Sequence, residues 1–255
     1  MKFYRALFLP LLFSLNLTGA DWAHWLGPQG DGTTTESNWK AEIQEPLWRK
    51  KIGIGFSAVA VSGGKVFAMG HDGGKKGGKE TVFCFDGLTG HSIWSHSYAA
   101  PLVDYLHEGG PCSTPVVDDS VVYSISKHGL LHALDAKSGK ILWKRDMPKE
   151  AKMKKLPYWG FAASPLIFEE QLIIEAGATY SMNKKNGSIL WESDFFQAAY
   201  GSPTIFSPEG FPMIAVLKND GLVLINPEIG STLDFVGWET SYLTNASTST
   251  KLYIV

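Results

Sequence analysis

The sequence predicts an all-β fold, a β-propeller of four-stranded antiparallel blades. One unit, in which Gly stands four residues before Trp, occurs three times, at Gly90–Trp94, Gly139–Trp143 and Gly187–Trp191. The three tryptophans are separated by 49 and 48 residues, about the length that one four-stranded blade and its turns require. The chain has 27 Gly, 13 Pro and 13% aromatic residues, which is typical of many short strands joined by tight turns.

The second repeat shows the expected order of strands within a blade. Short apolar runs at 114–117, 120–126, 130–135 and 141–145 are separated by turn residues, and the third run alternates in polarity as a half-buried strand does. Gly139 lies in the turn between the third and fourth runs. A tight turn there needs a positive φ, which Gly adopts without the steric cost of a Cβ.

The repeat extends beyond its three intact copies. A fourth copy keeps Gly230 in register but has Asp234 where Trp is expected, and Trp48 lies 46 residues before the first repeated Trp. Because stacked repeats bury a continuous core between them, we interpret these positions as contacts that dock neighbouring blades. The docking positions are Trp48, Trp94, Trp143, Trp191, Gly90, Gly139, Gly187 and Gly230.

Residues 1–20 have the pattern of a secretory signal peptide. Lys2 and Arg5 precede an apolar stretch from residue 6 to 17, and Ala20 is a small residue before the expected cleavage site. The stretch is shorter than a membrane span. We therefore expect a secreted or periplasmic protein that is not integral to the membrane. The net charge of −2 offers no basic field for a nucleic acid.

The remaining chain divides into two parts. Residues 21–44 form a Trp-rich lead-in, and residues 45–255 hold about four blades and the start of another. The apolar run at 249–255 has the pattern of a strand that has just begun, so we expect the propeller to be incomplete and the chain to be a fragment. Residues 46–51 are then expected to supply an outer strand that pairs with 251–255 or lies unpaired.

Two cysteines and several histidines are candidates for special chemistry. Cys84 and Cys112 could form a disulfide after export or remain as two free thiols. The histidines lack the spacing of metal ligands, and most are expected to be exposed in strands or turns; they are His71, His91, His96, His128 and His132.

The repeat resembles a known family. The segment Ala133-LDAKSGKILW follows the pattern of the pyrroloquinoline-quinone (PQQ)-type repeat. The resemblance extends from about Trp48 to Val255, and the segment Asp21-WAHWLGPQGDG resembles the lead-in of secreted members of the same superfamily. That superfamily includes quinoprotein alcohol dehydrogenases and non-catalytic scaffolds similar to the outer-membrane β-barrel assembly lipoprotein.

The resemblance implies two different functions. Quinoprotein dehydrogenases hold the quinone against a disulfide of adjacent cysteines and use a calcium or lanthanide ion with a carboxylate base, and this chain has no such cysteine pair. We therefore expect an exported, non-catalytic scaffold for a protein, small-molecule or carbohydrate ligand, with no cofactor. The alternatives are a dehydrogenase that uses PQQ with calcium and has its catalytic residues in missing blades, and a polysaccharide- or surface-associated module.

The connections between blades carry the candidate binding residues. The segments 101–111 and 149–163 are longer than ordinary turns and are expected to open near the central channel, where propellers usually bind their ligands. The candidate residues in these and the next connection are Tyr105, His107, Glu108, Tyr158, Trp159 and Tyr200.

Overall fold

The computed structural model describes residues 20–37, 42, 45–104, 107–154 and 156–237. Within these ranges sixteen strands form four antiparallel sheets, each made of four strands that are consecutive in the chain. The prediction of an all-β fold with four-stranded antiparallel blades is confirmed.

The first two blades follow the repeats directly. Blade 1 contains β1 (Ala60–Ser62), β2 (Lys65–His71), β3 (Lys79–Asp86) and β4 (Ser92–Ala99). Blade 2 contains β5 (Val116–Asp118), β6 (Val121–Ile125), β7 (Leu130–Asp135) and β8 (Ile141–Asp146). The expected strands of the second repeat agree with β5 to β8 to within about two residues at each end.

The last two described blades have the same order. Blade 3 contains β9 (Leu166–Phe168), β10 (Gln171–Ala176), β11 (Ala178–Asn183) and β12 (Ile189–Glu192). Blade 4 contains β13 (Thr204–Phe206), β14 (Met213–Lys218), β15 (Gly221–Ile225) and β16 (Thr232–Gly237). In the described part of the chain, helix is confined to α1 (Met147–Glu150) and a 3-10 turn at Pro208–Gly210.

Every blade has a shift of register between its third and fourth strands. In blade 2 the shift follows the pair Ala133–Trp143, and in blade 1 it follows Cys84–Trp94. The other two blades have it at the equivalent position. Because a bulge bends a strand and increases its twist, the repeated shift gives the outer strands the same geometry at the residue in the Trp position.

The hydrophobic core lies between the blades. Val82 and Cys84 of blade 1 pack with Val122 and Leu134 of blade 2, and similar clusters join blade 2 to blade 3 and blade 3 to blade 4. Blades 2 and 3 therefore bury both faces against their neighbours, which is how repeated sheets form one continuous core.

The inner strands are linked by a chain of hydrogen bonds. The N–H of Ala58 donates to Thr114 Oγ1 at 3.1 Å, the N–H of Thr114 to Ser164 Oγ at 2.9 Å, and the N–H of Ser164 to Ser202 Oγ at 2.9 Å. In the last three blades the hydroxyl residue stands directly before a proline. The backbone N–H groups that face the next blade are thus satisfied without a sheet between blades.

The lead-in binds at the end of the blades where the first strand turns into the second. Trp22 and Val61 exchange backbone hydrogen bonds of 2.8 and 2.9 Å, and the N–H of Val117 donates to the Ala23 carbonyl at 2.8 Å. The Asp21 carboxylate accepts a 2.7 Å bond from the Ser62 hydroxyl. The lead-in therefore joins blades 1 and 2 at the end opposite the long connections.

Some expectations fall outside the described residues. Of the expected signal peptide, residues 1–20, the structure describes Ala20 alone. The expected strand at 249–255 also lies outside the described residues. Residues 45–51 form no strand with the residues that the structure describes. No helix in the described ranges has the length and apolar character needed to cross a membrane.

Candidate functional site

The repeated tryptophans each contact the next blade. Trp143 Nε1 donates to the Lys184 carbonyl at 3.0 Å, and its ring covers Gly187, whose φ is +72°. The equivalent Nε1 bonds run from Trp48 to Gly87 at 2.9 Å, from Trp94 to Ala136 at 3.1 Å and from Trp191 to Pro227 at 3.0 Å. The ring contacts are Trp48 on Gly90, Trp94 on Gly139 and Trp191 on Gly230.

These contacts give the tryptophans a structural role. Trp94 and Trp143 are each 8% exposed, and their indole N–H groups are satisfied by backbone carbonyls. Trp48 makes the same contact although it does not lie in a strand. Trp94 and Trp143 therefore leave little indole surface for a ligand.

A group of aromatic rings and one lysine lies where the connections between blades meet. We call these residues the channel-mouth cluster: Phe56, His107, Lys127, Trp159 and Tyr200. The ring of His107 stacks on Trp159 with centroids 5.9 Å apart, and Phe56 meets His107 edge-on at 4.9 Å. Tyr158, 52% exposed, stands perpendicular to Trp159 at 5.4 Å. The structure thus brings together residues of the first two long connections.

Tyr200 ties the third connection to the same cluster. Its hydroxyl accepts the backbone N–H of Trp159 at 3.0 Å. Its φ of +68° is uncommon for a residue other than Gly. Ser202, two residues later, belongs to the chain of hydrogen bonds between inner strands. Trp159 is therefore held from one side by the connection that leads into blade 4.

Lys127 is the member that sequence reasoning missed. It lies in the turn between β6 and β7, is 4% exposed, and its Nζ lies 3.1 Å from His107 Nε2. Gly160, with φ +73°, lets the second long connection lie against it, since a Cβ there would come within 2.3 Å of the Lys127 carbonyl. The N–H of Phe161 then donates to that carbonyl at 2.9 Å.

Burial controls the electrostatics of the cluster. It lowers the pKa of Lys127, while Cys112 and Glu80 act in the opposite direction. It also lowers the pKa of His107, and the nearby Lys127 adds to this effect while Glu108 opposes it. Burial raises the pKa of Glu80, partly offset by its hydrogen bond from Tyr98. These shifts all favour the uncharged forms.

The remaining candidates are placed as follows. Glu108 is exposed beside His107, and Tyr105 lies outside the described residues.

Lys127 could have been found from the sequence, because the turn between the second and third strands of a blade opens at the same end as the connections. The pattern of long connections did not include that short turn.

Two histidines expected to be exposed are buried. His71 is 1% exposed and its Nε2 lies 2.6 Å from the Ala100 carbonyl. His132 is 4% exposed, and its ring lies 5.1 Å from that of His96 across the boundary between blades 1 and 2. The expectation was wrong for both, because His132 is covered by the neighbouring blade and His71 by the connection that follows β4 of its own blade.

The described residues do not fit a quinone held as in the dehydrogenases. Cys84 and Cys112 are free thiols, Cys84 buried within β3 and Cys112 half-buried in a connection. Within the described part of the chain no three His, Cys, Asp or Glu residues are gathered in a way that could hold a metal ion.

Comparison with known proteins agrees with the architecture. The sequence model of the family described as "Outer membrane protein assembly factor BamB" matches residues 78–234. A 34-residue stretch, 13% of this chain, is 59% identical to the outer membrane protein assembly factor BamB of Yersinia pestis and spans 9% of that protein.

Solved structures share the fold at low identity. BamB from Moraxella catarrhalis aligns at a TM-score of 0.50 and 16% identity, over 74% of this chain and 53% of that one. The quinohemoprotein alcohol dehydrogenase of Comamonas testosteroni aligns at a TM-score of 0.61 and 14% identity, over 85% and 41%. The europium-containing methanol dehydrogenase aligns at 0.59 and 12% identity, over 84% and 48%.

The family match covers more than half of the chain, whereas this chain spans only about half of the solved BamB structure. The dehydrogenase alignments establish the shared fold alone. The chain is a PQQ-repeat β-propeller protein and belongs to the family of outer membrane protein assembly factor BamB.

Proposed function

We propose that this chain is an exported, non-catalytic scaffold that takes part in the assembly of outer-membrane proteins. The family match over residues 78–234 carries the proposal. The signal-peptide pattern of residues 1–20 supports export and a periplasmic location. The partner is then a protein of the assembly apparatus or its client.

The channel-mouth cluster is the surface that we assign to the partner. Phe56 of the cluster is 55% exposed and the adjacent Tyr158 is 52% exposed, and the backbone beneath them is fixed by hydrogen bonds from three connections. Aromatic residues are enriched in protein interfaces because they bury a large area at a small cost in side-chain entropy. The described lead-in residues contact blades 1 and 2 at the other end and do not cover this surface.

A photo-crosslinking experiment tests the proposal. A photoreactive phenylalanine analogue at Tyr158 is expected to crosslink to a component or client of the outer-membrane assembly apparatus in intact cells. The control is the same analogue at Leu88, which is 79% exposed in the turn after β3, at the opposite end of blade 1. Equal crosslinking from both positions, or none from Tyr158, would contradict the assignment.

A depletion experiment tests the role itself. Removing the protein from its host is expected to lower the amount of folded outer-membrane β-barrel proteins, measured by their heat-modifiable mobility on gels. Complementation by a Tyr158→Ala/Trp159→Ala variant is expected to fail, whereas a Leu88→Ala variant restores the wild-type level. Unchanged barrel proteins after depletion would refute the assembly role.

A further inference from the structure

The connection from blade 2 to blade 3, residues 147–161, is a loop whose two ends lie on one turn. The backbone N–H of Met147 donates to the Gly129 carbonyl at 3.0 Å, and the N–H of Phe161 donates to the Lys127 carbonyl at 2.9 Å. A Cβ on Gly129 would lie 2.5 Å from the Phe161 ring, so the end of the loop packs directly on the turn. Compact surface loops with closed ends are frequently functional. We call this connection the blade 2–3 loop.

The first half of the blade 2–3 loop buries its apolar side chains. Met147 is 0% exposed, and the half-buried Ala151 and Met153 pack against the core between blades 2 and 3. The N–H of Met153 donates to the Pro148 carbonyl at 2.8 Å, which fixes the backbone of this half. Because these apolar side chains face the core, the lysines that lie between and beside them are exposed to solvent: Lys149, Lys152 and Lys154.

The three lysines give this half of the loop a positive charge. In the ranges that the structure describes, none of them forms an ion pair. Residues 147–154 contain three Lys and one acidic residue, Glu150, in a chain whose overall formal charge is −2. The loop is therefore a local basic surface on a weakly acidic protein, and it attracts carboxylates.

Aromatic surface lies in the second half of the same loop. Tyr158 is 52% exposed and stands perpendicular to Trp159, with ring centroids 5.4 Å apart. The Trp159 ring stacks on His107, and its backbone N–H donates to the Tyr200 hydroxyl at 3.0 Å. The basic half of the loop is thus continuous with the channel-mouth cluster.

We propose that the blade 2–3 loop binds a peptide segment that carries several carboxylates next to aromatic residues. The carboxylates pair with the exposed lysines of the first half, and an aromatic ring packs on Tyr158 in the second half. The proposal rests on the scaffold function proposed above, and it specifies the chemistry of the partner segment.

The charges are expected to contribute mainly to the rate of association. Exposed ion pairs each contribute little to affinity, and salt screens them. Three lysines on one loop together are expected to increase the affinity about tenfold, because they attract the acidic segment before the ring reaches Tyr158. Binding that depends on both salt and the ring distinguishes this mode from attraction by charge alone.

The proposal is tested with the intact chain and fluorescein-labelled synthetic peptides, with binding measured by fluorescence anisotropy. The probe peptide carries four Asp or Glu residues followed by two Phe residues. One control peptide has the corresponding amides in place of the carboxylates, and the other has Ala in place of Phe. The probe is expected to bind about tenfold more tightly than either control at low salt. Absence of binding, or equal binding of the probe and either control, would overturn the proposal.

Neutralising the lysines of the loop locates the site. The variant Lys149→Gln/Lys152→Gln/Lys154→Gln is expected to weaken binding of the probe about tenfold and to remove most of its salt dependence. Its melting temperature is expected to stay close to that of the wild type, because the three side chains are exposed. Wild-type affinity in this variant would refute the assignment of the loop.

A matched control variant removes three exposed lysines from other parts of blade 2 and is expected to bind the probe as the wild type does: Lys137→Gln/Lys140→Gln/Lys144→Gln. Equal weakening in the two variants would show that only the net charge of the protein matters and would overturn the proposal. The two proposals fail separately. Barrel proteins that stay unchanged after depletion would refute the scaffold role whatever the peptide does, whereas a probe that does not bind would refute only the assignment of this loop.

Discussion

The indole of Trp143 covers Gly187 of the following blade so closely that a Cβ on the glycine would lie 2.6 Å from Trp143 Cε3. The same relationship recurs at three other boundaries, from Trp48 on Gly90 to Trp191 on Gly230. Two residues of the repeat that are four apart in sequence therefore act on different neighbours. The Gly receives the indole of the preceding blade, and the Trp covers the Gly of the next one.

Replacing Trp143 by Ala is expected to lower the free energy of unfolding by about 3–5 kcal/mol, since it removes a large buried ring and leaves a cavity between blades. Chemical denaturation measures the change. The control is Leu142→Ala, at the neighbouring residue, which is 54% exposed and is expected to change the free energy by less than about 0.5 kcal/mol. Equal effects of the two substitutions would show that the indole does not hold the blades together.

Replacing Gly187 by Ala is expected to lower the free energy of unfolding by about 2–4 kcal/mol, because a left-handed backbone and a steric overlap with Trp143 both oppose the Cβ. Gly210→Ala separates the two causes. Gly210 has φ +85° but nothing within 4 Å of its Cβ position, so its substitution is expected to cost only about 1 kcal/mol. Thermal or urea melts of both variants provide the comparison, and similar losses would argue against the overlap.

The boundary between blades 1 and 2 is expected to become less stable as the pH falls. Burial lowers the pKa of His132 from 6.5 to about 4, and His96 and Lys144 act in the same direction. His132 is therefore neutral in the folded state, while it binds a proton below pH 6.5 when the chain is unfolded. Its contribution is fully present above pH 6.5 and is lost as the pH falls towards 4.

Between pH 7 and pH 5 the free energy of unfolding is expected to fall by about 2 kcal/mol because of His132. A His132→Gln variant is expected not to show this fall. Urea titrations at both pH values measure it. His91→Gln, at an exposed residue, serves as the control and should keep the wild-type dependence. If His132→Gln were as sensitive to acid as the wild type, the loss would have to come from other groups.

The blades are predictable because each part of the repeat indicates one element of a blade. Gly139 indicates a turn, Trp143 an outer strand, and the alternation around Ala133 a half-buried strand. The channel-mouth cluster is only partly predictable. His107, Trp159 and Tyr200 lie on connections whose length is visible in the sequence. Lys127 lies in the short turn between β6 and β7, and it joins the cluster through its contact with His107. The order of strands in a blade puts the turn of Lys127 at this end, but its burial against two connections leaves no local pattern in the sequence.

Glu175 of blade 3 and Lys218 of blade 4 form a buried ion pair that local sequence patterns likewise do not indicate. Lys218 Nζ lies 2.7 Å from both carboxylate oxygens of Glu175 and 2.6 Å from the Gly177 carbonyl, and the two side chains are 0% and 1% exposed. The Thr179 hydroxyl donates a further 2.7 Å bond to Glu175. The pair is thus fully hydrogen-bonded between two blades.

Replacing Lys218 by Met is expected to lower the free energy of unfolding by about 3–5 kcal/mol, because it leaves the Glu175 carboxylate buried without its cation. The double variant Glu175→Gln/Lys218→Met removes both charges and is expected to recover at least half of that loss, since a neutral amide costs much less to bury than a carboxylate. Urea titrations of the two single variants and the double variant give the coupling energy between the residues. Single losses that simply add in the double variant would show that the two side chains contribute independently to holding blade 3 against blade 4.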